Sequence, residues 1–375
     1  MALLNKNKSE SSLGVDIGAG GIKLLELRKS KGRPQLWTYA LVDQPLDINI
    51  GDGEKNKSVE ESMASDQEKK QKTLAPQIMD PRIAEYAKLL RLAVDSAHVT
   101  ARHVTASLPV SQIFHAIVNL PMVNEKELGY HVEAKIKKML SRPIEEMQVV
   151  HQIIPGDPKE KDKSIKTLVT AAPKNIVKFY TDIFQKAGLQ LNELETEAFA
   201  LERSLVGMDK ATVMIVDIGA ERTNFFIIDQ GFPVTHRSVQ IGGNVLEAIL
   251  QQKFGLDDKE IMTVKYDVTR LGMDKIPTEL FARMIEPIVK EIQYSFDLFL
   301  HQTGNEGKRP EKIILTGGAS VFPPIIQGIR QSFSMKVFVG DPWARVVYQQ
   351  GLKGTLDKLG PRMSVSIGLA LRGMI

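Results

Sequence analysis

No cysteine occurs among the 375 residues, which excludes disulfides, thiolate metal sites and cysteine nucleophiles together. Charge of one sign is missing too. Against 49 basic residues stand 45 acidic ones, a formal net charge of +4, and the basic residues are spread along the chain rather than striped, so nothing points to a nucleic-acid interface. Long apolar runs are lacking: none approaches the roughly 18 residues that span a bilayer. The opening Met1-Ala-Leu-Leu-Asn-Lys-Asn-Lys is too short in apolar residues for a signal peptide, and a soluble, cytoplasmic chain is expected. Also absent are a Walker lysine loop, a Gly-rich dinucleotide fingerprint and any ligand-like spacing among the 7 histidines. P-loop, Rossmann and zinc chemistry therefore have no footing.

What the chain does have is an apolar content of 43%, enough for two or three packed domains, and a repeat. Asp-Ile-Gly-Ala occurs at residues 16–19 and again at 217–220, each time ending one apolar run and opening another. The first copy leads through Ile22-Lys-Leu-Leu-Glu-Leu and a Lys31-Gly-Arg-Pro turn to Leu36-Trp-Thr-Tyr-Ala-Leu-Val. The second leads through Phe225-Phe-Ile-Ile and an Asp229-Gln-Gly turn to Pro233-Val-Thr-His-Arg-Ser-Val. β-branched and aromatic runs punctuated by Gly, Pro and Asp read as strands, so each half opens with a three-stranded meander. A strand that stops at Asp, turns on Gly and returns leaves backbone N–H groups aimed into a concavity that suits phosphate oxygens. Two such turns face to face would clamp a nucleoside triphosphate.

Between the halves, residues 51–75 mix acidic and basic side chains without an aromatic and are expected to form a mobile surface insertion. A helix opens at Asp80-Pro81. Strands are expected at 104–108, 113–120, 148–154 and 165–171, with a helix after Asn124 striped by Leu128, Val132, Ile136 and Leu140. This β-β-α-β-β block, residues 103–172, reads as a subdomain inserted into a first domain made of 1–102 and 173–208. Helices are expected at 175–187 and 193–206. The second domain, 209–345, carries a helical part at about 245–282. Residues 346–375 return to the first domain, with a short last helix at 364–372.

The candidate site follows from the two turns. Asp16 and Asp217 either cap their own turns or hold Mg²⁺ directly or through its waters, and matching contexts favour the metal. Around them lie Gly18, Ala19, Gly20, Gly21 and Lys23 in the first copy, and Gly219, Ala220, Glu221, Arg222, Thr223 and Asn224 in the second. Gly242-Gly243 and Gly317-Gly318-Ala319 each precede a helix, whose N-terminus favours anions. Glu197, on a helix just before the second motif, could orient a water against a terminal phosphate or simply be an exposed helix charge.

Taken in order, Val15-Asp-Ile-Gly-Ala-Gly-Gly-Ile-Lys, Glu197-Ala-Phe-Ala-Leu-Glu-Arg, Asp217-Ile-Gly-Ala-Glu-Arg-Thr, Leu315-Thr-Gly-Gly-Ala-Ser and Ile367-Gly-Leu-Ala-Leu-Arg-Gly resemble the PilM family. This is the cytoplasmic actin-like family of type IV pilus assembly, within the actin, Hsp70, FtsA and sugar-kinase superfamily. Ser107-Leu-Pro and Asn119-Leu-Pro-Met resemble it too. The resemblance implies an α/β, bilobed actin-like (ribonuclease H-like) ATPase fold with an inserted 1C (SHS2-like) subdomain. It implies ATP and Mg²⁺ in the interlobe cleft, with Asp16 and Asp217 at the metal, Lys23 at the phosphates and Lys265 on the nucleotide side. Gly20-Gly21 replaces serines common among relatives, and Met262 replaces a frequent Glu, so slow hydrolysis at most is implied, with Glu197 positioning water. The implied partner is the N-terminal cytoplasmic peptide of a PilN-like inner-membrane protein, with self-association possible and the membrane reached only through the partner. Two alternatives stay open. A sugar-kinase-branch enzyme would need an acidic base beside a polar sugar pocket. An FtsA-like tether would carry an amphipathic helix after a linker, where this sequence runs to Gly373-Met-Ile.

Overall fold

A computed structural model describes residues 10–50, 80–154, 164–267, 272, 276–302, 305 and 307–374, excepting the side chains of 125, 265 and 266. The 51–75 segment and the charged turn at 156–163 lie outside the described residues.

Two five-stranded sheets repeat one plan. In the first, β1 (Ser11–Gly18), β2 (Gly21–Ser30) and β3 (Arg33–Val42) form an antiparallel meander. β4 (Val104–Leu108) and β8 (Leu191–Thr196) then add in parallel, giving the order β3-β2-β1-β4-β8. The second runs β11-β10-β9-β12-β13, from β9 (Val213–Ile218), β10 (Thr223–Asp229), β11 (Phe232–Val239), β12 (Lys312–Thr316) and β13 (Lys336–Val339). The correspondence reaches the turns. Lys31-Gly32 and Gln230-Gly231 both take positive φ at both residues, the primed hairpin turn whose twist matches that of the flanking strands. β1 and β9 are central and buried along nearly their whole length, which explains why they read as continuous apolar runs.

Helices cover both sheets. α1 (Pro81–Ser96), capped by Asp80 with Pro81 at its first position, packs with α3 (Lys174–Lys186) on one face of the first sheet. On the second lobe, α5 (Gly243–Phe254), α6 (Asp258–Tyr266), α7 (Ala282–Leu300) and α8 (Pro323–Ser332) bury a separate core. Between the two sheets lie α4 (Glu197–Leu201) and α9 (Lys353–Arg372). Ala198 and Leu201 of α4, and Val365 and Leu369 of α9, share a core with Val213, Ile215, Phe226 and Ile314 of the second sheet. Other α9 residues, Met363, Ile367 and Leu371, pack on Leu25 and Leu27 of the first. This shared core joins the lobes beneath the cleft.

The inserted subdomain comprises β5 (Phe114–Pro121), α2 (Glu125–Ile136), β6 (Met147–Ile153) and β7 (Ser164–Pro173), in sheet order β5-β7-β6. Leu128, Val132 and Ile136 of α2 close its small core, as their spacing predicts. Three expectations are corrected. β4 does not belong to the inserted block: it hydrogen-bonds between β1 and β8 in the first sheet, so the insertion has three strands among the described residues. Residues 193–196 are strand rather than helix, because Leu191–Thr196 completes that sheet beside β4. The last helix begins at Lys353, not 364, running through Pro361 in its interior.

Candidate functional site

The strand ends of the two meanders open onto one cavity of about 440 Å³, into which Asp16, Gly18, Lys23, Glu197, Asp217 and Gly219 face. Each aspartate sits at the same place in its meander, opposite the returning strand: Asp16 pairs with Lys23, and Asp217 with Asn224. Asp16 is only 7% exposed. One of its carboxylate oxygens accepts from the Ser107 hydroxyl at 2.8 Å, and the other lies 3.6 Å from Lys23 Nζ. Burial pushes the Asp217 carboxyl up to about 7, with the Asp16 charge adding to the rise and Lys23 opposing it. Burial also holds Glu197 well above the usual carboxylate range, with the charges of Asp16 and then Asp217 adding to it. Glu197 Oε2 accepts from Val110 N at 3.3 Å and Asn224 Nδ2 at 3.5 Å. Asp16, Asp217 and Glu197 thus gather around Lys23, in a cavity whose wall also carries Asp43, Glu221, Glu247, Asp258, Arg222 and Arg362. Such an arrangement is electrostatically unfavourable when fully ionised and is relieved by a cation.

The turns themselves are built for close backbone approach. Gly21 has φ +113, and a Cβ there would lie 1.8 Å from Val42 O, so no other residue can close this hairpin. Leu46 N donates to Ala19 O and holds the first turn against the segment after β3. Gly18, Ala19 and Gly20 line the cavity, whereas Gly21 forms the bend behind it. In the second turn Gly219, Ala220, Glu221, Arg222 and Asn224 line it. Thr223 is fully buried and donates to Ile241 O, a structural bond rather than a cleft contact. Asn224 Oδ1 is buried without a hydrogen-bond partner, the kind of atom that a bound water or ligand satisfies.

The two downstream Gly pairs play different parts. Gly243 N and Asn244 N donate to Gly219 O and Ala220 O. These helix-terminal N–H groups are therefore spent on bracing the second turn, which corrects the expectation that they face an anion. Gly243 lines the cavity but Gly242 packs behind it, a Cβ there lying 2.6 Å from Ala220 O. Gly317, at φ +86, donates its N–H to Pro361 O of α9, and lines the cavity together with Gly318 and Ala319. Lys265 lies on α6, with its side chain outside the described residues. Beyond the predicted set, Asp43, Gln44, Ser111, Phe322 and Arg362 also line the cavity. No motif in the chain marks them; the loops after β3 and β4, the start of α8 and the middle of α9 bring them in. Leu246, Leu250, Ile261, Val264 and Phe322 form its apolar end.

Two lobes of one plan, joined through α4 and α9 and forming a carboxylate-and-glycine cleft between paired hairpins, define an actin-like fold. A family model described as type IV pilus assembly protein PilM matches residues 76–374, and the chain belongs to that family. Over nearly its whole length it is similar to the solved PilM–PilN type IV pilus biogenesis complex, with a TM-score of 0.76, 21% identity, and coverage of 98% of this chain and 99% of that one. It is also similar to the ethanolamine utilization protein EutJ of Carboxydothermus hydrogenoformans, with a TM-score of 0.52, 14% identity, and coverage of 97% and 90%. Among curated proteins, cell division protein FtsA of Pseudomonas aeruginosa is 25% identical over 236 residues, 56% of this chain and 53% of that protein. FtsA of Neisseria meningitidis serogroup B is 25% identical over 229 residues, 55% and 52% of the two chains. The chain spans about half the length of these curated relatives.

Proposed function

We propose that this protein binds ATP with Mg²⁺ in the interlobe cleft and serves type IV pilus assembly as a scaffold whose nucleotide state tunes docking to an inner-membrane partner. The observation that carries the nucleotide reading is the convergence of both Asp-Ile-Gly-Ala turns on one cavity, with Asp16, Asp217 and Lys23 facing it. The residues fit a magnesium ion. Two carboxylates, one pushed up to about 7 by burial and its neighbour's charge, match a metal that binds one or two carboxylates and completes its octahedron with water and phosphate oxygens. Asp16 and Asp217 would hold it, and it would neutralise charge on the bound phosphates. Lys23 and the turn N–H groups not already spent within the protein, as those of Gly219 and Gly317 are, hold phosphate oxygens, while the apolar end of the cleft takes the base. Glu197 orients a water toward the terminal phosphate.

Membership in the family and likeness to a PilM–PilN complex support docking of the N-terminal cytoplasmic peptide of a PilN-like protein. Among the described residues no helix is long and apolar enough to cross a membrane. In this reading the partner holds the chain at the cytoplasmic face of the inner membrane. Titration with a fluorescent ATP analogue tests the cleft: Asp16→Ala and Asp217→Ala should each weaken magnesium-dependent binding by about tenfold or more. Unchanged affinity in both would remove the clamp. Capture of the chain by an immobilised PilN-like N-terminal peptide tests the scaffold reading, and no capture with or without ATP would sink it.

A further inference from the structure

Arg362 and Asp43 form an ion pair at the cleft wall, with side chains 15% and 24% exposed. Each stands beside a different glycine loop. The aliphatic stem of Arg362 lies along Gly318, its Cγ 3.6 Å from where a Cβ on that glycine would be, and the preceding Pro361 O holds Gly317 N at 2.9 Å. Asp43 follows Val42, whose carbonyl presses on Gly21 at the first hairpin, and Leu46 N is tied to Ala19 O. The pair therefore joins the wall of the first phosphate turn to the wall that carries Gly317-Gly318. Both residues line the same cavity as Asp16, Lys23 and Arg222.

We propose that Arg362 is a phosphate-binding residue of this cleft and that Asp43 competes with the nucleotide for it, so that the pair is a latch exchanged for phosphate on binding. The inference rests on the nucleotide reading above. A guanidinium gives up one anion readily only for another that matches its fork, and a phosphate offers the same bidentate acceptor geometry as a carboxylate with more charge. The exchange also has a structural consequence. Arg362 sits on α9, so freeing it from Asp43 removes one tie between the segment after β3 and α9, while the helix stays packed on Leu25 and Leu27.

Binding of ATP, ADP and adenosine is measured by calorimetry on the full chain and on Arg362→Gln, Asp43→Asn and the double variant, with thermal unfolding confirming that each is folded. Arg362→Gln should weaken ATP and ADP by about tenfold and leave adenosine unchanged. Asp43→Asn should tighten ATP several-fold, because the competing anion is gone. The double variant should match Arg362→Gln alone, since the gain from removing Asp43 requires the Arg362 guanidinium. Equal ATP affinity in wild type and Arg362→Gln overturns the latch while leaving the nucleotide reading intact. Weaker ATP binding in Asp43→Asn overturns it too, showing that the pair only builds the wall. If the wild-type chain binds none of the three ligands, the nucleotide reading fails and the latch falls with it.

Discussion

Glu202 stands in the π-helical turn Glu202–Val206 that follows α4, and burial raises its carboxyl to about 7 despite the nearby charges of Arg203, Arg345 and Lys210. The folded chain thus holds this proton more tightly than the unfolded chain, where the group has an ordinary carboxylate pKa. Stability is therefore lost as pH rises from about 4.5 to about 7 and is flat above that. Glu202→Gln removes the titration. Relative to wild type, its stability should improve by about 1–2 kcal/mol between pH 4.5 and pH 8, after allowing for solvent screening of a partly exposed group. Urea midpoints across that range check it, and a difference that does not change with pH would refute the assignment. The same scale shows what the motifs reveal and what they leave silent. Asp16, Asp217 and Lys23 are legible because they stand in a repeat. Ser107, which donates to Asp16, and Asp43 with Arg362 are not, since each is brought in by contacts far along the chain. Thr223 and Gly242 lie in the motifs but not at the cavity: strand alternation turns the Thr223 side chain inward to Ile241 O, and Gly242 packs against Ala220 O at the start of α5.

Helix α9 is held to α4 by a glycine contact. A Cβ on Gly368 would come within 1.9 Å of Ala200 O, a backbone atom that cannot swing away. Gly368→Ala should destabilise the fold by roughly 3 kcal/mol through overpacking. Gly354→Ala, in the first turn of the same helix with open space around it, should be neutral or stabilise by up to about 1 kcal/mol from helix propensity. Denaturant midpoints of the two variants distinguish a packing contact from a general intolerance of side chains in α9. The same helix explains one misreading. Gly360-Pro361 looks like a helix stop, yet Pro361 is accommodated, and its carbonyl accepts from both Gly317 N and Thr316 Oγ1. Tertiary partners there outweigh the propensity of the segment. The helical pattern over β8 fails for a related reason. Leu194, Ala198, Leu201 and Leu205 do recur at helical spacing, but Leu191–Thr196 is the fifth strand of a sheet, and that edge position is set by β4 rather than by its own pattern. The meanders, in contrast, are legible because strand pairing and turn chemistry are local, with two-residue turns at Lys31-Gly32 and Gln230-Gly231.

In the whole molecule, the inserted subdomain has a core of its own around Leu128, Val132, Ile136 and Val169 and meets the second lobe where β5 reaches β11. There His115 Nε2 lies 2.7 Å from Pro233 O and Nδ1 lies 3.2 Å from Thr170 Oγ1. A carbonyl only accepts, so Nε2 carries the proton and Nδ1 accepts from the threonine hydroxyl. Burial lowers the His115 pKa, which keeps the ring in that neutral form at physiological pH. Its edge also meets the ring of Phe199 at 6.4 Å, on α4 beside Glu197, so the residue that docks the subdomain touches the helix that borders the cleft. A small core with one buried polar anchor should open before the two large lobes do. His115→Ala removes the anchor and leaves Pro233 O without its donor, a loss of about 1–3 kcal/mol that falls on subdomain docking. Hydrogen exchange should then quicken along β5 and in β11 near Pro233, while β1, β9 and β12 keep wild-type protection. If protection falls equally in all five strands, the subdomain is not a separately opening unit and His115 supports the global fold. If none changes, the docking of β5 on β11 does not depend on this histidine.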